Sequence, residues 1–387
     1  MPGRAVCSTR TRTWQGYRLR GRSMAGRFRR RAVALLLVPL VAGCSIGDVR
    51  RPPPDRTAPS PRPAATEPAP TAAEVELREV RVPVGKGYDQ PYVEFVSAER
   101  GYALFAGCSG RPPGRDCPAV LYATTDGGRS WRRLTHPRPV ADDQQLYVAP
   151  GVLVLLAEPH GWYTSTDGGR TFAHSRGEQA PAEWRAAQGS YQIDEATGRV
   201  VRWAGRRGTP LPAQPPVPVP HGVAEARDLL VVAGVDGGKA YAAVSTDRGR
   251  TWQRTPVPVP GGEIGVLRPV VGPDGEARLV GWPPDRTGFP ALWRYLGRWV
   301  PVPAAGHPAR ANSVVPLSTG RFAVNGPDGV GVVADGRYGP LDWPVGPQHH
   351  LTLLVDGAMA GSASGEVLLA PGPVGDRRWV RVVLSPA

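Results

Sequence analysis

An octapeptide carrying a carboxylate, hydroxyls and glycines occurs three times in this 387-residue chain. It reads Thr124-Thr125-Asp126-Gly127-Gly128-Arg129-Ser130-Trp131, then Ser165-Thr166-Asp167-Gly168-Gly169-Arg170-Thr171-Phe172, then Ser245-Thr246-Asp247-Arg248-Gly249-Arg250-Thr251-Trp252. Loop carboxylates of this kind can ligate a cation, exchange a proton or accept backbone N–H bonds in a tight turn. The glycines decide for the turn, because they supply the positive φ that such a turn needs. The flanking hydroxyls add local bonds and the closing aromatic packs where the next strand begins. Asp126, Asp167 and Asp247 are therefore expected to be turn formers, with Gly128, Gly169 and Gly249 beside them and Trp131, Phe172 and Trp252 closing each unit.

Other reactive side chains are sparse. Cys108 and Cys117 bracket a short Gly/Pro/Arg segment with no histidine between them. Zinc would need two further ligands, so a disulfide is expected, and closing so short a loop contributes about 2–3 kcal/mol. His349 and His350 are adjacent and in a strand would point to opposite faces, which disfavours a shared metal. The Gly-Gly pairs belong to the octapeptides and precede no helix, so no phosphate loop is expected. No Ser/His/Asp set stands out, and neither a cofactor nor a metal is called for.

The elements holding these residues are short. From Glu74 onward the longest run lacking both Gly and Pro is Val223–Ala233, eleven residues, which leaves little room for an ordinary helix. Short apolar or alternating runs such as Tyr102–Ala106, Val152–Ala157 and Arg278–Trp282 lie between Gly, Pro and Asp turns, the pattern of an all-β protein. The octapeptide aspartates are 41 and then 80 residues apart, one period and about two. A period near forty with four short strands points to propeller blades.

The octapeptides resemble the Asp-box, or bacterial neuraminidase repeat, of sialidase-like propellers and of the photosystem II assembly factor family. That resemblance implies a β-propeller in which each box joins the third and fourth strands of a four-stranded blade, opposite the binding mouth. Blade ends fall near Trp131, Phe172, Leu211, Trp252, Trp299, Trp343 and Trp379, which gives seven blades. The count is six if the third unit (182–220), which lacks a box, does not form one. The alternating run 75–82 is expected to pair with the last blade at Trp379–Leu384 and close the ring, covering an edge.

The composition first suggests a polyanion binder, with 47 Lys+Arg against 33 Asp+Glu and a formal charge of +14. Residues 1–43 hold ten arginines and no acid, however, so +4 remains for everything after them. Arg27 to Arg31 precede an eleven-residue apolar run, Ala32–Ala42, and then Gly43-Cys44. A charged region, a short apolar run and small residues form a secretory signal, too short to stay as a spanning helix. Val41-Ala42-Gly43-Cys44 is similar to a lipoprotein lipobox, which implies acylation of Cys44. Met24 also opens a leader of ordinary length, which leaves the start open between it and Met1. Eight prolines between Ser45 and Ala73 mark an extended tether. The expected organisation is a signal peptide at 1–43, a tether at 44–73 and a propeller at 74–387. The propeller carries +3, no reason to invoke nucleic acid.

If the boxes mark one face, the loops between second and third strands lie on the other. Those loops offer Arg111 and Arg115 between the cysteines, Glu158-Pro159-His160, and Trp282 with Arg286. The 136–145 connection adds Asp142 and Asp143. Exposed Trp and Arg are good anchors, so Arg111, Arg115, Trp282 and Arg286 are the expected binding residues; the competing reading of Trp282 is the end of a core strand.

A sialidase-like glycoside hydrolase is the enzyme alternative. That family requires an arginine triad, a Tyr–Glu nucleophile pair and an acid/base Asp, and its first arginine sits in an aromatic-Arg-Ile-Pro motif. Val80-Arg81-Val82-Pro83 lacks the aromatic and resembles the strand endings Val257-Pro258-Val259-Pro260 and Val300-Pro301-Val302-Pro303. No Tyr–Glu pair is identifiable from the sequence. The favoured expectation is a monomeric, non-catalytic lipoprotein at the outer leaflet of the cytoplasmic membrane, holding an envelope protein or a glycan.

Overall fold

A computed structural model describes residues 75–85, 87–107, 117–177, 179–226, 229–372 and 377–387. The leader, Cys44, the tether, Cys108, Arg111 and Arg115 lie outside the described residues. Within them the chain forms a seven-bladed β-propeller of antiparallel sheets. Blade 1 contains Tyr92–Phe95, Gly101–Ala106, Cys117–Thr124 and Arg132–Leu134, and blade 2 runs from Asp143–Ala149 to Ala173–Ser175. Blade 4 spans Pro220–Ala226 to Gln253–Pro256, blade 5 Val266–Val271 to Trp299–Pro301, and blade 6 Ser313–Pro316 to Arg337–Pro340. Blade 7 spans His350–Leu353 to Trp379–Pro386.

The box-less third unit does form a blade, of three strands: Tyr191–Ile193, Val200–Ala204 and Arg207–Pro210. The helix Ala182–Ala187 precedes them. It covers blade 2 with an indole, because Trp184 packs on the cluster that holds Val154 and Trp162 and its ring lies 5.7 Å from that of Tyr147. The Pro-rich sequence after Pro210 removes ladder N–H groups, which accounts for the short outer part of this blade.

Val75–Val82 pairs with blade 7 as expected. The ladder is parallel, from Val75 opposite Trp379 to Val82 opposite Pro386. A parallel partner needs a long crossover, and here the crossover is the entire ring. Arg78 completes the seam by donating from Nη1 to the carbonyl of Gly127 in blade 1 at 2.7 Å.

The core lies between blades. Phe105 and Tyr122 of blade 1 meet Val367, Leu369 and Val382 of blade 7. On its other side blade 1 sets Leu104 and Leu121 against Leu146, Leu153 and Leu155 of blade 2. Alternate residues of one strand therefore serve two different interfaces, as the period of two requires. Polar ties supplement this packing. The Trp299 indole N–H donates to Thr255 Oγ1 at 2.9 Å, Trp293 to the Pro258 carbonyl at 2.7 Å, and Trp252 to the Ala213 carbonyl at 3.0 Å. Between blades 6 and 7, Asn325 donates to the carbonyls of Gly346 and His349.

Blades 5 and 6 lack the octapeptide and are joined on the same face by charge. Arg278 is fully buried, donates to Asp274 Oδ2 at 2.6 Å, and lies over the ring of Phe322 of blade 6. Arg278→Met removes this ion pair and the cationic contact with Phe322, and is expected to lower unfolding free energy by about 2 kcal/mol in urea titration.

The glycine two residues after the aspartate of each octapeptide is pressed against the preceding blade. A Cβ on Gly169 would lie 2.5 Å from Leu134 Cδ1, on Gly128 2.7 Å from Val382 Cγ1, and on Gly249 2.7 Å from Leu211 Cδ1. Gly169 has φ +84°. Gly169→Ala therefore combines left-handed strain with overpacking and should cost about 3 kcal/mol. Gly151→Ala, at φ +73° with open space around it, should cost about 1 kcal/mol. Equal losses from the two in urea unfolding would show that the inter-blade contact is not what fixes this glycine.

Candidate functional site

The three octapeptide turns join third and fourth strands, on one face of the ring. Their chemistry is consumed internally. In blade 2, Ser165 Oγ donates to Asp167 Oδ1 at 2.7 Å and accepts from the Gly169 amide at 2.8 Å. The Arg170 and Thr171 amides donate to Asp167 Oδ1 at 3.0 Å each, and Thr171 Oγ1 donates to Oδ2 at 2.7 Å. Blade 4 repeats the set around Asp247. In blade 1, Asp126 accepts from Thr124 and from the Ser130 amide and hydroxyl.

These donors favour the ionised carboxylate. At Asp126, partial burial works upward but the Ser130 and Thr124 bonds outweigh it, leaving a pKa of about 2. At Asp167 and Asp247 the Thr171 and Thr251 bonds hold the carboxyl far below its ordinary range. A folded pKa below the unfolded value near 3.9 means stability that is present above that pH and lost as pH falls through the folded pKa. The triple variant Asp126→Asn, Asp167→Asn, Asp247→Asn should melt below wild type at pH 6. The two melting temperatures should converge on acidification towards pH 2, read by circular dichroism at constant ionic strength. Parallel curves would show that these carboxylates do not carry the acid dependence.

The opposite face is formed by the loops between second and third strands and between blades. Its tight turns include Ala157 to Gly161, closed by His160 N–H to Ala157 O at 2.7 Å. Asp142 donates its amide to the Glu158 carbonyl at 2.9 Å, and Asp143 opens the first strand of blade 2 opposite Glu158. Arg138 Nη2 lies 3.1 Å from His160 Nε2, linking the blade 1–2 connection to that turn.

Trp282 ends the second strand of blade 5 and is half-buried, packed on the apolar cluster between blades 5 and 6. It is a core-strand terminus first. Arg286, four residues on, is exposed and in the left-handed region at φ 56°. Trp282 and Arg286 are thus on one loop.

Two arrangements on this face are absent from the sequence expectations. Tyr92, on the first strand of blade 1, is 43% exposed and its phenol donates to Glu94 Oε1. Burial raises the Glu94 pKa against the Tyr92 bond and a bond from the Val148 amide. Burial and the Glu94 charge raise that of Tyr92. A Tyr–Glu pair therefore exists, and the signal for it was Tyr-Val-Glu on a strand, whose first and third residues share a face. The second arrangement is cationic. His221 Nδ1 accepts from the Leu267 amide at 3.3 Å across the first strands of blades 4 and 5. Arg268, the next residue, is half-buried there. His349 and His350 part as expected: His349 is buried, with Nε2 2.9 Å from Glu366, while His350 is exposed.

No protein-family model matches the chain, and no curated protein matches it in sequence. Solved structures do. The GH74 enzyme of Niastella koreensis aligns at 13% identity and TM-score 0.30 over 76% of this chain and 46% of that one. The GH74 xyloglucanase from Xanthomonas campestris aligns at 19% and 0.29 over 77% and 47%. The chain thus spans just under half the length of these two. YCF48 from Cyanidioschyzon merolae aligns at 13% and 0.29 over 81% of this chain and 86% of that one, and YCF48 bound to D1 peptide at 15% and 0.28 over 78% and 86%. These neighbours include two GH74 enzymes and a protein bound to a peptide.

Proposed function

We propose that this protein is an exported, membrane-anchored propeller that binds a protein or glycan partner on the face opposite its octapeptide turns, without catalysing a reaction. The contrast between the two faces carries this reading. The turn-face carboxylates are saturated by their own loops, whereas the other face sets the exposed Arg286 on a loop fixed by Trp282. The geometry of the octapeptides supports their reading as Asp-boxes. The lipobox ending at Cys44 supports the anchor, and the burial of Cys117 where the third strand of blade 1 begins supports its pairing with Cys108.

The test uses the tagged full chain, crosslinked in intact cells of its source. Wild type should capture one partner in stoichiometric amount, and Arg286→Ala should reduce that capture at least fivefold with the fold intact by circular dichroism. Equal capture by both proteins would move the binding surface elsewhere. Globomycin should cause unprocessed precursor to accumulate if Cys44 is acylated, and unchanged processing would remove the anchor.

The Tyr92–Glu94 pair favours a second reading, a glycoside hydrolase, since a phenol paired with a carboxylate can act as a nucleophile. Hydrolysis of a fluorogenic glycoside by wild type, lost in Tyr92→Phe, would establish it.

A further inference from the structure

We infer that the face carrying the octapeptide turns is a cationic surface that lies against anionic phospholipid headgroups. The inference goes beyond the binding reading above, which concerns the opposite face, and takes from it only the anchor at Cys44.

One kind of turn builds the surface. In the octapeptides of blades 1, 2 and 4 the residue after the pressed glycine is Arg129, Arg170 or Arg250, and each is exposed. The other four blades lack the octapeptide. Each nevertheless sets an exposed arginine in or beside its last hairpin turn: Arg206, Arg298, Arg337 and Arg378. All seven turns precede the last strand of a blade and so share one face of the ring.

The acids of these turns are mostly withdrawn. Asp126, Asp167 and Asp247 are half-buried under their own donors, and Asp335 is the exposed acid among the described residues of these turns. The loops between first and second strands on this face balance, with Arg100 and Arg321 against Glu99 and Asp356. Arg206 has an ion pair, with Glu183 at 3.0 Å. Among the described residues, no ion pair or hydrogen bond engages the guanidinium of Arg170, Arg250, Arg298 or Arg337. The hairpin turns at the other end of the strands are different. There Glu158, Glu195, Asp236, Asp285 and Asp328 are exposed, interspersed with Arg199, Lys239 and Arg286. One face is thus mixed and the other rich in arginine, a polarity that the summed charge does not report.

Chain direction brings the arginine face to the anchor. Val75–Val82 runs parallel to Trp379–Pro386, so Val75 lies opposite Trp379, just past the last turn of blade 7. From this strand Arg78 reaches the first octapeptide turn. The chain from Cys44 therefore joins the propeller on its arginine face. Acyl chains and a polybasic patch reinforce one another at a bilayer, and a guanidinium fork suits a lipid phosphate. Docking in this sense directs the opposite face, where the partner is proposed to bind, away from the bilayer.

The experiment reconstitutes the full-length protein on vesicles of phosphatidylcholine, alone or mixed with phosphatidylglycerol. Arginine reactivity towards phenylglyoxal is then read by mass spectrometry. On the mixed vesicles Arg170, Arg250, Arg298 and Arg337 should react about threefold or more slowly than on phosphatidylcholine alone, and high salt should abolish the difference. Arg199 and Arg310, on the other face, should react equally on both. Combining Arg170→Gln with Arg298→Gln removes two charges from the contact and should return Arg250 and Arg337 to within about twofold of their reactivity on neutral vesicles. Both substituted positions are exposed, and circular dichroism checks the fold. Equal reactivity of the turn-face arginines on the two kinds of vesicle overturns the inference, as does protection of Arg199 and Arg310 in their place. Sedimentation with phosphatidylcholine vesicles tests the anchor separately. A chain that stays with neutral vesicles but shows no charge-dependent protection refutes the docking face alone. A chain that leaves neutral vesicles yet is protected on mixed ones refutes the anchor alone.

Discussion

A propeller blade has two apolar faces and can cover neither by itself. Everything else in this structure follows from that constraint. Leu104 and Leu121 face blade 2 while Phe105 and Tyr122, one residue along the same strands, face blade 7. Each blade is stable only when both neighbours are present, so the chain must close on itself. Closure by Val75–Val82 lays eight residues in parallel register along blade 7 and lets Arg78 reach into the first octapeptide turn. The first segment of the propeller is thus also the last part of its ring to be satisfied.

The octapeptide serves this constraint at two levels. Within the turn, Asp167 and Ser165 satisfy four backbone or hydroxyl donors that no ladder could reach. Between blades, the turn offers Gly169 to the side chain of Leu134 at a distance no Cβ allows. Asp, Ser and Gly are therefore parts of one device that ends a hairpin and seats it on its neighbour. Where the device is missing, other chemistry replaces it: the Arg278–Asp274 pair with its ring contact at blades 5 and 6, and the Asn325 amide at blades 6 and 7.

That division explains what the sequence disclosed. Fold and blade number were legible because a covalent turn of eight residues recurs at a fixed spacing and its aromatic ending persists where the aspartate does not. Ring closure was legible because Val75–Val82 alternates and needs a partner. The three-stranded form of blade 3 was not, since proline within 211–220 removes donors without leaving a pattern that counts strands. Nor was the pair Arg268 and His221. They come from adjacent inner strands 47 residues apart in the chain, and only the packing of Gly222 on Pro269 and of Gly265 on Pro284 sets them together. Trp282 was legible as an aromatic at a loop, but its packing on the cluster between blades 5 and 6 makes it the support of that loop more than its contact surface.

The two faces of the ring have accordingly been given opposite electrostatic roles. On the turn face, Asp126, Asp167 and Asp247 are committed to their own backbone, and their low pKa values measure how complete that commitment is. On the other face the carboxylate of Asp285 is likewise turned to its own loop, accepting from the Thr287 amide and hydroxyl. The composition of the chain concealed this, because ten of its +14 charges lie before Cys44 and say nothing of the propeller. A net charge summed over a chain describes solubility and leader chemistry. What a propeller can recognise depends instead on which groups each face leaves to solvent, and the octapeptide turns commit their carboxylates to their own backbone.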